Sequence, residues 1–218
     1  MQHQQQDNKQ SGQIIIEAVV AVGLVSVVLI ALISLSLRSF RIQLSNRQRE
    51  QATQVERAAM EAIRQIRDGY GIVKTGNTPA DLHAWSWTDP TIWTNDCTYD
   101  GEPWTCFRVY YDETNNYWVL ERTNGVSQAD ARNSVYHLFY DISTNRFGYP
   151  NLGNFPGTAA SSPFYRQILI RDRPQVTPLD PERSKDIVTI LSWDDRTLQR
   201  QSKLVSVLSQ WSVDSGTP

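Results

Sequence analysis

One acidic side chain lies at the start of a long apolar run, five positions after a glycine. Residues 12–37 read GQIIIEAVVAVGLVSVVLIALISLSL, and Glu17 is the single charged residue among them. A carboxylate inside a membrane-spanning segment costs about 2.5–3.5 kcal/mol, so we expect it to have a partner or a task. In a stack of similar helices, a cationic group of one chain can pair with the Glu17 carboxylate of another, which relieves the desolvation of both charges.

Two cysteines, Cys97 and Cys106, lie nine residues apart in the second half of the chain. In an exported protein such a close pair is most simply a disulfide, whereas in a reducing compartment it would be two free thiols. The spacing differs from the CxxC spacing of zinc sites, and the chain has no further cysteine. A zinc site is therefore not predicted.

The sequence offers little for catalysis. The histidines are His3, His83 and His137, and no GxSxG, HExxH or phosphate-binding loop occurs. His137 lies within a strand pattern, where a hydrogen-bonded structural histidine is the expected role. The pair Asp194-Asp195 is better explained as a turn than as a calcium site, because only two carboxylates cluster there. We therefore expect a protein that is not an enzyme and uses no cofactor or metal.

The apolar run is long enough to cross a membrane. Ala18 to Leu37 gives 20 residues without a charge, and at ~1.5 Å per residue these span a hydrocarbon core of ~30 Å. A secretory signal peptide has a basic start and an apolar stretch of about 7–15 residues. Here Lys9 is offset by Asp7 and the apolar stretch is longer. A short leader over residues 1–12 and a membrane helix over 13–37 are predicted, with a plain signal anchor as the alternative.

The helix is predicted to continue beyond the membrane segment. Residues 38–68 contain neither Pro nor Gly and are rich in Arg, Gln, Glu and Ala, which favour helix. An apolar stripe recurs there at helical spacing, formed by Val55, Ala59, Ala62, Ile63 and Ile66. Gly69 and Gly71 then supply a stop. A continuous helix from Gln13 to Asp68 would be amphipathic over 38–68.

Residues 69–218 are predicted to form a single β-rich globular domain. Residues 69–105 look irregular, because Thr78-Pro79, Asp89-Pro90 and Glu102-Pro103 interrupt them. Strand-like runs follow, and 151–163 looks like a loop. The predicted strands are Phe107–Tyr111, Tyr117–Arg122, Val135–Ile142, Arg146–Tyr149, Tyr165–Arg171, Ile187–Trp193 and Leu204–Leu208, with turns at Asp112–Asn116 and Asp194–Thr197. No helix alternates with these strands, so the fold class is α+β with an antiparallel sheet.

The charge and composition of this domain limit its partners. From Gly69 onward there are 13 basic and 17 acidic residues, a net charge of −4, so no nucleic-acid footprint is evident. All seven tryptophans lie in this part of the chain. The Trp-rich stretch around Trp85, Trp87 and Trp93 is explained either by core packing or by a partner-binding face.

A polar leader ending in Gly12, then Glu17 and the apolar run, resemble the N-terminal segment of type IV prepilins and pseudopilins. The stretch ERAAMEAIRQIRDGYG is similar to the end of the first helix of minor pseudopilins, and the C-terminal hairpin ending at Trp211 is similar to that of minor pilin-like proteins. Gln13 departs from the apolar residue usual after the cleavage site. The resemblance implies a pilin-like fold, cleavage by prepilin peptidase between Gly12 and Gln13, N-methylation of Gln13, and Glu17 as the assembly carboxylate.

The same resemblance implies the partners and the location. We expect a minor subunit of a type IV pilus, a type II secretion pseudopilus or a competence pilus. Its partners would be prepilin peptidase, other pilin or pseudopilin subunits, the inner-membrane assembly platform and membrane lipid. The chain would cross the cytoplasmic membrane once, with its C-terminal domain outside the cytoplasm, and then enter the filament. The rivals are a signal-anchored extracytoplasmic adhesin or binding domain that does not polymerise, and a membrane-tethered enzyme.

One feature of the sequence opposes this orientation. The positive-inside rule retains basic flanks in the cytoplasm, and the basic flank here follows the apolar run at Arg38, Arg41, Arg47 and Arg49. Prepilins enter with the leader inside, and a disulfide-bearing domain fits export. A topology reporter fused to the C-terminus distinguishes the two orientations.

Overall fold

The computed structural model describes residues 3–123, 134–150, 152–153, 155–156, 158–173, 184–195 and 198–210, excepting the side chains of residues 3–15 and 195. The chain divides into two compact units, Met1–Arg49 and Glu50–Pro218. One long N-terminal helix precedes a mixed, mostly antiparallel β-sheet. Of the regions discussed above, Met1, Gln2, the turn residues Arg196 and Thr197, and Trp211 lie outside the described residues.

The long helix α1 runs from His3 to Gln65 and is followed by a π-helical turn, Ile66–Tyr70. It starts ten residues earlier than Gln13, because the leader contains no proline and is rich in glutamine, which favours helix. The α-helical pattern ends three residues before Asp68. The chain leaves the helix at Gly69, whose φ of 95° is accessible to glycine at little cost.

The apolar stripe predicted on the second half of α1 is confirmed. Its five residues are all buried, and Ala52 and Met60 join them. This side of the helix packs on the sheet in a cluster that includes Phe107, Leu120 and Ile168. The amphipathic half of α1 is therefore part of the core of the second unit.

Ten strands form the sheet in the described residues, and seven of them follow the order β10-β9-β8-β4-β5-β1-β2. β3 pairs with β4, and β6 pairs with β7 and β8. Their bounds are β1 (Gly71–Lys74), β2 (Leu82–His83), β3 (Cys97–Tyr99), β4 (Glu102–Asp112), β5 (Tyr117–Arg122), β6 (His137–Asp141), β7 (Arg146–Gly148), β8 (Ala160–Asp172), β9 (Ser184–Asp195) and β10 (Leu198–Ser209).

The predicted hairpins are confirmed as antiparallel pairs. β4 pairs with β5, β6 with β7, and β9 with β10. The prediction of a wholly antiparallel sheet is wrong at one place, since β1 runs parallel to β5 from Gly71↔Trp118 to Lys74↔Glu121. β1 follows the end of α1 directly, so its direction is set by the helix exit and not by a hairpin turn.

Three local predictions were also wrong. The region 69–105 contains β1, β2 and β3 and is not wholly irregular. Pro103, predicted to interrupt the chain, lies within β4, and β8 begins at Ala160, inside the loop predicted over 151–163. Pro103 pairs in the short β3–β4 hairpin, and Pro163 lies where the β6–β8 register shifts, which are positions that tolerate proline. Asp194-Asp195 ends β9 and is not a turn.

The sheet has a core on each face. The face toward α1 includes the tryptophan cluster, in which Trp85 lies 5.7 Å from Trp87 and 5.1 Å from Trp93 between ring centroids. Lys185, 1 % exposed, places its Nζ 4.1 Å from the centroid of Trp93 and 2.5 Å from Asp172 Oδ1. The Trp-rich stretch thus contributes to the core. On the opposite face, Cys97, Tyr99, Trp104 and Cys106 cover Leu169, Val188 and Ile190.

Candidate functional site

The apolar half of α1 has no partner within its own unit. Every described side chain from Ile16 to Leu44 is exposed. Within the described part of the chain, one helix is long and apolar enough to span a membrane, with a mean hydropathy of 2.9 in its most apolar window. A surface of this kind needs a bilayer or other apolar helices around it. The helix is compatible with a single-pass membrane segment or a signal anchor.

Glu17 is the one charged residue of that surface between Ile16 and Leu37. Two serines of the apolar stretch form hydrogen bonds within the helix. Ser26 Oγ donates to Val22 O at 2.7 Å, and Ser34 Oγ donates to Ile30 O at 2.8 Å. The Glu17 side chain is exposed, and it has no hydrogen bond or ion pair with the described residues. Gly12 and Gln13 lie in α1, upstream of the described side chains.

Cys97 and Cys106 are joined in a disulfide with their Cα atoms 5.9 Å apart. Cys97 lies in β3 and Cys106 in β4, on either side of a tight turn. Both cysteines are buried against the sheet. The bond therefore ties the β3–β4 hairpin to the core on the face away from α1.

A cleft in the second unit was not predicted from the sequence. β4 and β8 pair over three positions, from Thr105↔Ile170 to Phe107↔Ile168, and then diverge. Beyond that point β4 continues beside β5, whereas β8 pairs with β6. The divergence opens a cleft of about 860 Å³ that is lined by the β4–β5 and β6–β7 hairpins, by Tyr149, Leu152, Gly153 and Phe155, and by α1 from Gln51 to Ala58.

The two hairpins at the cleft share one local design. Tyr111–Trp118 reads YDETNNYW and Tyr140–Phe147 reads YDISTNRF. In both, an aspartate accepts hydrogen bonds from the turn, an asparagine takes a positive φ, and the tyrosine hydroxyl donates to that asparagine. The tyrosine ring also lies near the final aromatic ring, with centroids 5.2 Å apart in the first hairpin and 5.0 Å in the second. The repeated pattern Y-D-x-x-x-N-x-aromatic was the available sequence signal.

Contacts across the cleft hold these hairpins in place. Arg146 Nη1 lies 3.4 Å from Glu113 Oε1 and so links the two turns. The backbone N–H of Glu113 donates to Gly153 O at 3.1 Å. Gly153 is required at this approach, because a Cβ there would lie 2.2 Å from Tyr111 O and its φ is 57°. The cleft is therefore built by specific contacts.

Arg166 is the buried charge of the cleft. It is 5 % exposed, its Nη2 donates to Val109 O at 2.6 Å, and its buried Nε has no hydrogen-bond partner among the described residues. Its guanidinium carbon lies 5.7 Å from the centroid of Tyr149, and so does that of Arg108. Arg108 is paired with Glu121 at 2.7 Å, whereas Arg166 has no carboxylate partner among the described residues. Within the described part of the chain, Arg166 is thus the cation of the cleft that lacks a counter-ion.

A second buried charge lies between α1 and β10. Glu56 is 3 % exposed, and Ser202 Oγ donates to its Oε2 at 3.0 Å. Its Oε1 has no partner in the described structure. Burial raises the pKa of the Glu56 carboxyl above the ordinary value of 4.5, and the hydrogen bond from Ser202 lowers it by less. Folding therefore favours the protonated form of Glu56.

We expect Glu56→Gln to stabilise the protein at neutral pH. With a raised pKa in the folded state, the contribution of Glu56 to stability is complete below 4.5 and is lost as the pH rises through the folded-state pKa. Glutamine keeps an acceptor for Ser202 and carries no charge to desolvate. Thermal unfolding across this pH range should show a gain at neutral pH that disappears in acid. The exposed Glu61→Gln on the same helix is the control, and an equal gain there would contradict the explanation.

The two histidines whose side chains the structure describes, His83 and His137, form no triad of nucleophile, histidine and carboxylate with the described side chains around them. His137 Nε2 lies 2.8 Å from Ser162 O and 3.2 Å from Ser161 Oγ, and its ring stacks on Tyr165. His83 Nδ1 lies 3.7 Å from Asp89 Oδ2. No group of three or more His, Cys, Asp or Glu side chains within the described ranges is placed to hold a metal ion.

Comparison of the chain with protein-family models, with curated proteins and with solved structures gives no match.

Proposed function

We propose that this chain is a minor pilin or pseudopilin, a structural subunit of a type IV pilus, a type II secretion pseudopilus or a competence pilus. The observation that carries the proposal is the division of α1. Its first half exposes an unbroken apolar surface with one carboxylate, and its second half is buried in its own domain. Such a helix is suited to packing among neighbouring helices while the domain remains folded by itself.

The chemistry of assembly follows from Glu17. Cleavage after Gly12 gives Gln13 a cationic amine, and an incoming subunit can place this amine beside the Glu17 carboxylate of its neighbour. Both charges lie in an apolar environment, where an unpaired ion is costly and a paired one is tolerated. The pairing would also fix the axial stagger between subunits. Prepilin peptidase, the other subunits and the assembly platform are the partners that this role requires.

The orientation belongs to the same proposal. The buried disulfide supports an oxidising location for the domain, outside the cytoplasm. The arginines at 38, 41, 47 and 49 favour the opposite orientation. A C-terminal reporter that is active only outside the cytoplasm tests this directly. Activity of a reporter that requires the cytoplasm would contradict the proposal.

Processing provides the most direct test. Mass spectrometry of the mature protein is expected to find Gln13 at the N-terminus, carrying a methyl group. An intact leader, or an unmodified end at another residue, would favour the alternative of a signal-anchored extracytoplasmic binding domain that does not polymerise. The cleft between the two hairpins is the observation that keeps this alternative in consideration.

We expect Gly12→Val to block maturation. A peptidase must approach the backbone closely at the cleaved bond, and a branched side chain obstructs that approach. Full-length precursor should accumulate in the membrane and be visible as a slower band on a gel. Gly23→Val is the matched control, because a Cβ at Gly23 meets nothing within 4 Å and the position lies in the same helix. Normal maturation of the Gly12 variant would oppose the prepilin assignment.

A further inference from the structure

We propose that the cleft between the β4–β5 and β6–β7 hairpins binds a saccharide that carries a carboxylate. This function is separate from filament assembly, because the cleft lies wholly in the second unit and uses none of the residues at the start of α1. It therefore applies equally to a filament subunit and to an anchored binding domain.

The walls of the cleft present flat aromatic rings. Each hairpin contributes a tyrosine and a second aromatic ring, Tyr111 with Trp118 and Tyr140 with Phe147, and all four are half-buried. Aromatic faces in a partly wet cleft suit the C–H surfaces of pyranose rings, which are apolar on their faces and polar at their edges. Two such pairs, held by turns of similar design, line the cleft.

Amide groups lie beside these rings. Asn116 and Asn145 each accept a tyrosine hydroxyl through Oδ1, which leaves their Nδ2 groups as donors. Gln51 and Gln54 of α1 are exposed along the same cleft. Planar amides can donate to and accept from hydroxyl groups, so this combination favours a polyhydroxylated ligand over a purely apolar one.

Arg166 sets the charge of the ligand. A guanidinium that is 5 % exposed and has no carboxylate partner among the described residues is costly to the protein, and Arg166 is one of the residues that line the cleft, so an anion bound there would lower this cost. Arginine matches the geometry of a carboxylate, which accepts two parallel N–H groups. Arg146 at the cleft is already paired with Glu113, so the unpaired cation is Arg166. An acidic sugar satisfies both the aromatic walls and this cation.

The test uses the full chain in lipid nanodiscs and saturation-transfer difference NMR, which detects weak binding. The probes are glucuronate, galacturonate and N-acetylneuraminate, each compared with its methyl ester, which keeps the ring and removes the charge. We expect ring-proton signals for at least one acid that exceed those of its ester by about tenfold, the effect of hydrogen bonds to one charged group. Signals absent for all three acids, or equal for acid and ester, would overturn the proposal.

Variants separate the two parts of the recognition. Arg166→Gln should reduce the signal of the acid to that of its ester, whereas Arg171→Gln, which removes a half-buried arginine paired with Asp186, should leave it unchanged. Because Arg166 also bonds Val109 O, circular dichroism must show that the variant is folded. Tyr140→Leu should weaken the binding of acid and ester alike, with Tyr165→Leu, outside the cleft, as its control.

A peptide is the rival ligand. The dipeptide Phe-Asp tests this alternative in the same experiment. If saturation transfer to Phe-Asp equals or exceeds transfer to the best acidic sugar and is lost in Arg166→Gln, the cleft binds an acidic peptide and the saccharide proposal is overturned.

Discussion

Glu17→Ala is expected to insert into the membrane as well as the wild type and to be nearly absent from filaments. Insertion is unaffected because the change removes a charge from the apolar segment. Assembly is affected because the amine of Gln13 loses its partner, and an unpaired buried charge costs about 3–5 kcal/mol, a reduction of about a hundredfold or more in incorporation. Immunoblots of sheared filaments and of membranes measure both quantities in one culture.

Two variants make this experiment specific. Glu17→Asp keeps the carboxylate and should retain much of the incorporation. Ser26→Ala changes a polar side chain of the same helix that is already satisfied by Val22 O, so it should behave as the wild type. Equal incorporation of Glu17→Ala and wild type would remove the assembly role of Glu17 while leaving the membrane helix in place.

Removal of the disulfide should produce a large loss of stability in the domain. We expect the double variant Cys97→Ala, Cys106→Ala to lower the free energy of unfolding by roughly 2.5–3 kcal/mol, the chain-entropy value for a loop of about ten residues. The β3–β4 hairpin covers Leu169, Val188 and Ile190, so its release also exposes part of the core. Urea unfolding followed by tryptophan fluorescence measures the change.

The wild type in the presence of reductant should show the same loss, and Thr98→Ala, an exposed change in the same hairpin, should show almost none. Two thiols that react with a labelling reagent in protein purified without reductant would contradict the disulfide and would remove one support for the outward orientation.

Local patterns in the sequence predicted much of this fold. The apolar stripe of α1 depends on a spacing of three and four residues, and the hairpins on alternation around short turns, so both can be recognised within a few residues. Strand β1 could not be recognised in this way. This strand is only four residues long. Its parallel pairing with β5 depends on the position where α1 ends, and β5 lies more than forty residues further along the chain.

The cleft lay beyond sequence reasoning for a similar reason. Its existence depends on β4 and β8 separating after Phe107↔Ile168, and no residue near either strand signals that divergence. Arg166 reads in the sequence as one of several arginines, and only the fold shows that it lies buried without a carboxylate beside it. The repeated hairpin pattern can be seen in the sequence. Only the strand topology shows that its two copies line the same cleft.

The burial of α1 by its own domain bears on the order of folding. Glu56 and its partner Ser202 are 146 residues apart, and the buried residues from Ala52 to Ile66 pack against strands that are synthesised much later. Contacts between residues far apart in sequence slow folding, because the chain loses conformational entropy on closing the loop before the contacts form and stabilise it. The apolar side of the helix therefore cannot be fully buried by its own domain until β10 has been made. For the same reason, a truncation that begins at Gly69 would remove one wall of the core, and an independently folding fragment has to begin before Ala52.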